Sequence, residues 1–172
     1  MSHLNIEIKA RCREPQRVRA VFRSLGAEFR GTDHQVDTYF DVTHGRLKLR
    51  EGNIEHCLIH YHRADEAGPR EAHVTLFHPP REGNLRQVLQ AALDVRVVVD
   101  KLREIYFIDN VKFHVDRVAG LGDFVEIEAI DADRTIGRDR LLEQCRHFMA
   151  QLEIDPDDLL NRSYSDMLAE GT

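Results

Sequence analysis

The sequence predicts an α+β fold in which a large antiparallel sheet curls into a barrel or tunnel and carries three helices. About nine short segments alternate apolar and polar residues, the period-two pattern of a strand with one buried face. Turn residues separate consecutive segments, so the strands are joined as hairpins and run antiparallel. Three other segments repeat apolar residues at helical spacing. A sheet of this size commonly curls or closes on itself.

The predicted strands cover most of the chain. In order they are NIEIKARC, AEFRG, HQVDTYFD, GRLKLRE, HCLIHYHR, EAHVTLF, VRVVVDKLREIYFID, VKFHVDRV and DFVEIEAI. The segments between them are rich in Gly, Asn, Asp and Pro, as in THG, EGN, DEAGP and AGLG. Asp109 and Asn110 separate two alternating runs and predict a tight hairpin.

Three segments predict helices. The first is EPQRVRAVFRSLG, where Pro15 suits the opening turn and Gly26 suits the end. The second is NLRQVLQAALD, whose apolar residues fall on one face. The third runs from about Asp133 to Leu152 and has an apolar stripe that is expected to face the core.

Length and composition favour one globular domain that covers residues 1–172. The chain has 42% hydrophobic and 31% charged residues, which is typical of a globular protein with a sizeable core. Its net charge of −6 argues against a general nucleic-acid binder, because no basic excess is available to neutralise phosphates.

Other sequence signals concern the cellular compartment. No apolar run approaches the ~20 residues of a membrane span, so no membrane partner is expected. The N-terminal MSHLNIE lacks the charged-then-apolar layout of a secretory signal. Three widely spaced cysteines without a C-x-x-C pair are most simply reduced thiols. We therefore expect a cytoplasmic protein.

Charge is sorted by strand. Arg46, Lys48 and Arg50 share one face of GRLKLR, whereas Glu126 and Glu128 share one face of VEIE. Like charges on one strand face repel, and a strand placed only for solubility would normally mix signs. If the sheet closes, the polar faces meet inside, where basic strands could hold phosphates and carboxylates could hold a divalent cation. An ordinary solvated face is the alternative for each of these strands.

Several other motifs support simpler interpretations. His56, His60 and His62 suggest zinc, but zinc needs three or four converging ligands and one strand face supplies two at best. We expect surface or tunnel-wall histidines instead, and we expect Cys57 on the other face to be a core residue. The sequence contains neither a G-x-x-x-x-G-K-S/T phosphate loop nor a G-x-S-x-G nucleophile motif.

At these residues the sequence resembles the CYTH domains, or triphosphate tunnel metalloenzymes. That family includes class IV adenylyl cyclases, thiamine triphosphatases and inorganic triphosphatases. NIEIK supplies the second and third elements of its E-x-E-x-K signature as Glu7 and Lys9. HQVDTYFD, GRLKLRE and SYSDML resemble further family elements, and the closest match is KLREIYFIDNVKFHVDRVAGLGDFVEIEA with its G-L-G-x-F-x-E-x-E stretch. The resemblance implies a closed antiparallel eight-stranded tunnel with flanking helices.

The resemblance also implies roles for individual residues and a cofactor, Mg²⁺ or Mn²⁺. The implied metal ligands are Glu7, Asp116, Glu126 and Glu128. The implied triphosphate-binding cations are Lys9, Lys48, Arg50, Arg63, Lys101 and Arg103. Glu7 and Lys9 are the implied catalytic residues, while Tyr39 and Tyr164 would pack or hydrogen-bond near the site. The partner would be a triphosphate small molecule such as ATP, inorganic triphosphate or thiamine triphosphate, and a homodimer is compatible with the resemblance.

Two departures from the family pattern bear on activity. Asn5 stands where the signature has its first Glu, and an amide can coordinate a cation but cannot match the affinity of a carboxylate. Many relatives have a Lys just after a Thr-x on this strand, on the tunnel face, whereas in EAHVTLFHPP Thr75 is followed by Leu76, Phe77 and His78; Arg70 or His73 could substitute for the Lys. The sequence therefore leaves three hypotheses: a cyclase or triphosphatase, a nucleotide- or polyphosphate-binding protein with little turnover, and a protein-interaction scaffold.

Overall fold

A computed structural model describes residues 2–171 of the chain. Eight antiparallel strands form a closed barrel in the order β1-β5-β4-β3-β2-β6-β7-β8, which confirms the predicted fold class. A short 3₁₀ turn at Pro156–Asp158 precedes the last helix. The elements are β1 Ser2–Arg11, α1 Pro15–Ser24, β2 Glu28–Phe40, β3 Arg46–Gly52, β4 His56–Arg63, β5 Arg70–Phe77, α2 Leu85–Ala92, β6 Val95–Ile108, β7 Val111–Val118, β8 Gly122–Asp131, α3 Arg138–Gln151 and α4 Tyr164–Glu170.

Nine predicted strand segments become eight strands because AEFRG and HQVDTYFD form one continuous strand, β2. A register shift between Phe29 and Gly31 replaces the expected turn with a bulge. Gly31 has φ +123°, and a Cβ atom there would lie 2.9 Å from Ile54 Cδ1, so the position requires glycine. The tight hairpin predicted at Asp109 and Asn110 joins β6 to β7.

The helices differ from prediction at two places. The third helix begins at Arg138 instead of about Asp133, because the Asp131 carboxylate accepts hydrogen bonds from the backbone N–H groups of residues 135–137 and holds them in a turn. The short helix α4 was not predicted; Ser163 caps its N-terminus in a capping box. Within residues 2–171, none of the helices combines the length and hydrophobicity that crossing a bilayer requires.

The main hydrophobic core lies between the outside of the barrel and two helices. The apolar faces of β1, β7 and β8 pack against α1 and α3, with Phe22 and Phe113 in ring contact at 5.0 Å. Since strand side chains alternate, covering these apolar faces turns the polar faces of the same strands into the barrel. The charged side of NIEIK therefore lies inside.

Strand β4 is oriented the other way. Its apolar side chains line the barrel interior, whereas His60 and His62 lie on the outside, where a His60 ring nitrogen donates to the carbonyl oxygen of His44 at 2.9 Å. Cys57 is buried, as predicted, but in the interior wall of the barrel. Arg63 is consequently on the opposite face from the two histidines and points inward.

Candidate active site

The barrel encloses a cavity of about 350 Å³ that is lined by all eight strands. Within residues 2–171, seven cations and four carboxylates line it, so it is suited to an anionic ligand. The cations are Lys9, Lys48, Arg50, Arg63, Lys101, Arg103 and Lys112, and the carboxylates are Glu7, Glu55, Glu126 and Glu128. The cavity thus brings together all six predicted triphosphate-binding cations and three of the four predicted metal ligands. The fourth, Asp116, is fully buried behind the lining.

Asp37 on β2 organises most of the basic wall, the part of the cavity lining formed by Lys48, Arg50, Lys101 and Arg103. Arg50 donates two hydrogen bonds to its carboxylate, at 2.9 and 2.8 Å, and Lys101 Nζ donates a third at 2.7 Å. Lys48 Nζ lies 3.3 Å from the same carboxylate. Asp37 is fully buried, and the three cations hold its pKa well below the ordinary value despite that burial. Asp37 is not among the predicted site residues, although its inward position in HQVDTYFD follows from alternation with Tyr39.

Asp116 fixes the position of Arg103. Arg103 Nε and Nη2 donate to the two Asp116 oxygens at 2.7 and 2.6 Å, and the Tyr164 hydroxyl donates to Oδ2 at 2.7 Å. His114, Asp116 and Glu126 offer ligand atoms within 4.8 Å of one another, which is close enough for a metal ion. However, both Asp116 oxygens already accept hydrogen bonds from protein donors.

Lys9 lies in an aromatic and acidic environment. Its Nζ atom is 3.4 Å from Glu126 Oε1 and 3.5 Å from the centre of the Tyr164 ring. Burial lowers the pKa of Lys9 to about 8, although Glu126 opposes that shift. The other predicted tyrosine, Tyr39, accepts a hydrogen bond from Lys48 Nζ at 3.2 Å.

The acidic wall of the cavity consists of Glu7 on β1 and of Glu126 and Glu128 on β8. The antiparallel register sets Glu7 opposite Glu128 and Lys9 opposite Glu126. Asn5, which stands at the first position of the signature, donates its amide to Glu128, and its Oδ1 atom is buried without a hydrogen-bond partner among the described residues. Burial raises the pKa of Glu128 to about 7, and the nearby Glu7 and Glu126 carboxylates add to the shift.

This raised pKa makes Glu128 a source of pH-dependent instability. Below about pH 4.5 the carboxyl is protonated in both the folded and the unfolded state, whereas above about pH 7 the folded state must hold its charge. Stability is therefore lost as pH rises from about 4.5 to 7. We expect Glu128→Gln, which keeps an acceptor for Asn5, to raise the free energy of unfolding by roughly 2–3 kcal/mol at pH 8 and to change little at pH 4.5.

Urea unfolding at the two pH values would measure this difference. Glu143→Gln is the matched control, because Glu143 lies on the solvent face of α3 with its side chain 69% exposed. Equal stability of Glu128→Gln and the unmodified protein at pH 8 would contradict the assignment of a strained carboxylate at this position.

Two guanidinium groups approach Glu7 from β4 and β5. Arg63 Nη1 donates to Glu7 Oε1 at 2.7 Å, and Arg70 Nε lies 3.9 Å from the same oxygen. The Nε and Nη2 atoms of both arginines are buried, and no hydrogen-bond partner for them exists within residues 2–171. Arg63 lines the cavity, so its N–H groups can be offered to an anion there.

The structure locates Arg70 and His73, the two candidates on β5 to substitute for the Lys that many relatives have. Leu76 and Val74 line the cavity, whereas His73 is exposed and its Nε2 atom lies 3.3 Å from Glu71. Arg70, which is 1% exposed, is the cation that β5 contributes beside Glu7. His73 therefore does not substitute for the Lys, and the register places Arg70 elsewhere along the strand.

Glu55, which lies in the loop before β4, is a second cavity residue that was not predicted. Glu55 accepts hydrogen bonds from Arg50 at 2.8 Å and from Lys112. The buried Asp33 carboxylate fixes this loop by accepting the backbone N–H groups of Ile54 and Glu55, each at 2.9 Å. A loop residue has no periodicity to indicate its direction, so no sequence pattern pointed to Glu55.

Comparison with known proteins matches this architecture. A Methanocaldococcus jannaschii protein provisionally named an adenylate cyclase is 25% identical over 177 residues, which cover 95% of this chain and 98% of that protein. The solved structure of a Pyrococcus horikoshii protein superposes with a TM-score of 0.76 at 25% identity, covering 94% of this chain and 98% of the other. A Hippeastrum protein shares the fold at a TM-score of 0.61 and 12% identity, covering 99% and 96% of the two chains.

The match to a family model is equally extensive. The model of the CYTH domain matches residues 3–164, which include the whole barrel except Ser2 at the start of β1, and all of the cavity-lining charges described above. The chain therefore belongs to the CYTH domain family.

Proposed function

We propose that this protein is a divalent-metal-dependent enzyme that binds a triphosphate compound in its tunnel and cleaves or cyclises it. The observation that carries the proposal is the guanidinium of the cavity-lining Arg63, whose buried Nε and Nη2 donors have no hydrogen-bond partner among the described residues. Buried donors of this kind are costly unless they are paired, and charged ones most of all. The oxygens of a phosphate chain are suitable acceptors for them.

The basic wall is arranged before any ligand arrives. Asp37 holds Lys48, Arg50 and Lys101, and Asp116 holds Arg103. Each cation keeps donors beyond those used by its carboxylate, because an ammonium has three N–H bonds and a guanidinium has five. Such preorganised donors stabilise charge on a phosphate chain without further rearrangement.

We place the divalent cation between Glu7, Glu126 and Glu128. Their oxygens are the hard ligands that Mg²⁺ and Mn²⁺ prefer. The raised pKa of Glu128 and the orphaned Oδ1 of Asn5 both fit a site for positive charge. Asp116 is assigned to hold Arg103, which donates to both of its oxygens at 2.7 and 2.6 Å. A bound Mg²⁺ or Mn²⁺ would neutralise negative charge on the phosphate oxygens.

Glu7 and Lys9 are the proposed catalytic pair. Lys9 lies beside Glu126, so its ammonium can donate to a phosphate oxygen on which charge develops. The Glu7 carboxylate, paired with Arg63, can orient or accept the proton of the attacking group. In a cyclase this group is the ribose 3′-hydroxyl, which attacks the α-phosphorus and releases pyrophosphate. In a triphosphatase it is water, which attacks the terminal phosphorus and releases orthophosphate.

Relatives support both reactions. The Methanocaldococcus relative bears the provisional name of an adenylate cyclase, and a dominant triphosphatase activity is described for the Hippeastrum protein. A second function, binding with little turnover, has one observation in its favour. Asn5, which stands at the first position of the signature, donates its amide to an oxygen of Glu128, a proposed metal ligand. Asn5→Glu is then expected to raise metal affinity or activity.

Phosphorus NMR tests these alternatives directly. The protein would be incubated with Mg²⁺ or Mn²⁺ and, in turn, ATP, inorganic triphosphate and thiamine triphosphate. Pyrophosphate with a cyclic monophosphate identifies a cyclase, and orthophosphate identifies a triphosphatase. Shifted or broadened ligand signals without product would identify a binding protein. Unchanged spectra with all three compounds, together with no binding, would overturn the proposal.

A further inference from the structure

His114 on β7 lines the cavity, but it belongs to neither the metal ligands implied by the family resemblance nor the proposed catalytic pair. Its side chain is 3% exposed, its Nδ1 atom lies 3.3 Å from Glu126 Oε2, and its Nε2 atom is buried without a hydrogen-bond partner within residues 2–171. We infer that one imidazole nitrogen of His114 is a ligand of the divalent cation and makes the site prefer a transition-metal ion to Mg²⁺. The inference rests on the proposed function and specifies which cation the site selects.

The register places His114 beside the acidic wall. His114 is the cross-strand partner of Glu126, and Lys112, the preceding inward residue of β7, is the partner of Glu128. Directly opposed residues of an antiparallel pair have Cβ atoms roughly 4.5–5.5 Å apart, so two such side chains can reach one cation. Lys112 is itself a cation and is paired with Glu55. His114 is therefore the side chain of this β7 pair that can join a carboxylate of β8 on a metal ion.

The imidazole ring has a lone pair that the described residues leave without a donor. Burial and the nearby Arg103 guanidinium lower the pKa of His114 to about 4, so the ring is neutral at neutral pH. A neutral imidazole has an N–H donor on one nitrogen and a lone pair on the other. If Nδ1 carries the proton, it donates to Glu126, and the lone pair lies on the unpartnered Nε2. If Nε2 carries the proton, the Nδ1 lone pair faces the Glu126 carboxylate, which also offers only lone pairs.

A metal ion is the group that satisfies this lone pair. The oxygens of a triphosphate are acceptors, so the anionic ligand cannot supply the missing donor. A histidine that binds a metal usually donates its other ring N–H to a carboxylate or a carbonyl oxygen. The contact between His114 Nδ1 and Glu126 has this arrangement in the first of the two tautomers.

His114 replaces Asp116, which the family resemblance implied as a metal ligand. The ligand atoms of His114, Asp116 and Glu126 lie within 4.8 Å of one another, but Arg103 donates to both Asp116 oxygens at 2.7 and 2.6 Å. Within this cluster, His114 is the residue with an unpartnered ligand atom. Mg²⁺ favours oxygen ligands, whereas nitrogen ligands bind later divalent metals such as Co²⁺ more tightly. The exchange of a carboxylate for an imidazole therefore shifts the preference of the site away from Mg²⁺.

Metal titration and pulsed EPR of the full chain would test this inference. Co²⁺ and Mg²⁺ would be titrated separately by calorimetry, and Mn²⁺ would serve as the spin probe, since a coordinated imidazole nitrogen modulates its electron spin echo. His114→Gln removes the ring nitrogens but keeps a side chain that can donate to Glu126. His73→Gln is the matched control, because His73 lies on the outer face of β5 with its side chain 66% exposed.

We expect His114→Gln to abolish the nitrogen modulation, to weaken Co²⁺ binding at least about tenfold and to weaken Mg²⁺ binding less than about threefold. His73→Gln should change none of these. Bound Mn²⁺ without a nitrogen signal, a signal that persists in His114→Gln, or equal losses of Co²⁺ and Mg²⁺ affinity would overturn the inference and leave the carboxylate site of the proposed function intact. Failure of all three cations to bind, with or without inorganic triphosphate, would overturn both. His114→Asn provides the same comparison if His114→Gln does not fold.

Discussion

Replacing Asp37 by Asn is expected to lower the free energy of unfolding by about 3–5 kcal/mol, because it leaves buried cations without their counterion. Asp37 is fully buried, accepts two hydrogen bonds from Arg50 and one from Lys101, and lies 3.3 Å from Lys48. Asparagine has the same shape but carries no charge, so the loss measures electrostatics and not packing. Urea unfolding at pH 7 would provide the comparison.

Asp100→Asn is the matched control for this effect. Asp100 lies on the outer face of β6, where its carboxylate is 2.8 Å from His34 and its side chain is 55% exposed. Exposed pairs of this kind contribute at most about 1 kcal/mol. We also expect inorganic triphosphate to stabilise Asp37→Asn more than the unmodified protein, since the ligand replaces the missing negative charge. Equal losses for Asp37→Asn and Asp100→Asn would contradict the central role of Asp37.

Replacing Arg63 by Met is expected to weaken inorganic triphosphate binding by at least about 100-fold and to have a much smaller effect on stability. The loss of affinity follows because two charge-assisted hydrogen bonds to the ligand disappear, each worth about 1.5–3 kcal/mol. Stability changes less because Arg63 Nε and Nη2 have no hydrogen-bond partner within the described residues, so removing these two atoms breaks no hydrogen bond there. The pair with Glu7 is lost, but Arg70 lies 3.9 Å from that carboxylate.

Calorimetric titration and thermal unfolding of the same preparation would measure both quantities. Arg117→Met is the control, because Arg117 lies on the outer face of β7 with its side chain 71% exposed. Its substitution should leave the affinity unchanged. If Arg63→Met kept full affinity but unfolded readily, Arg63 would be a structural residue and the anion would bind elsewhere.

Much of the fold was predictable because local patterns agree with the tertiary structure. On β1, β7 and β8 the apolar faces are covered by α1 and α3, so simple alternation gives the correct direction of Lys9 and Glu126. The family resemblance supplied the closure of the barrel and its eight strands. The bulge at Gly31 was not predictable, since an isolated Gly in a strand pattern is also typical of a turn.

The parts that were missed depend on contacts between distant segments. Glu55 is held in the cavity by Asp33, which lies on another strand, and no local pattern records that contact. Helix α4 is seven residues long, too short to show a clear period. On β4, alternation separates an apolar face from a histidine face but does not show which of them faces the barrel interior. The apolar face, which was expected to pack in a hydrophobic core, lines the cavity.

The ion pairs between the acidic wall and the basic residues have a thermodynamic consequence. In this structure Glu7 and Arg63 are each other's counterion, as are Glu126 and Lys9. An anion that engages Arg63 and Lys9 releases both carboxylates, and a cation that engages the carboxylates releases both basic groups. Each ligand therefore raises the affinity for the other, and by the same factor, as reciprocal linkage requires. If the proposed function holds, we expect a divalent cation and a polyphosphate to bind cooperatively, because each replaces one partner of the same internal ion pairs.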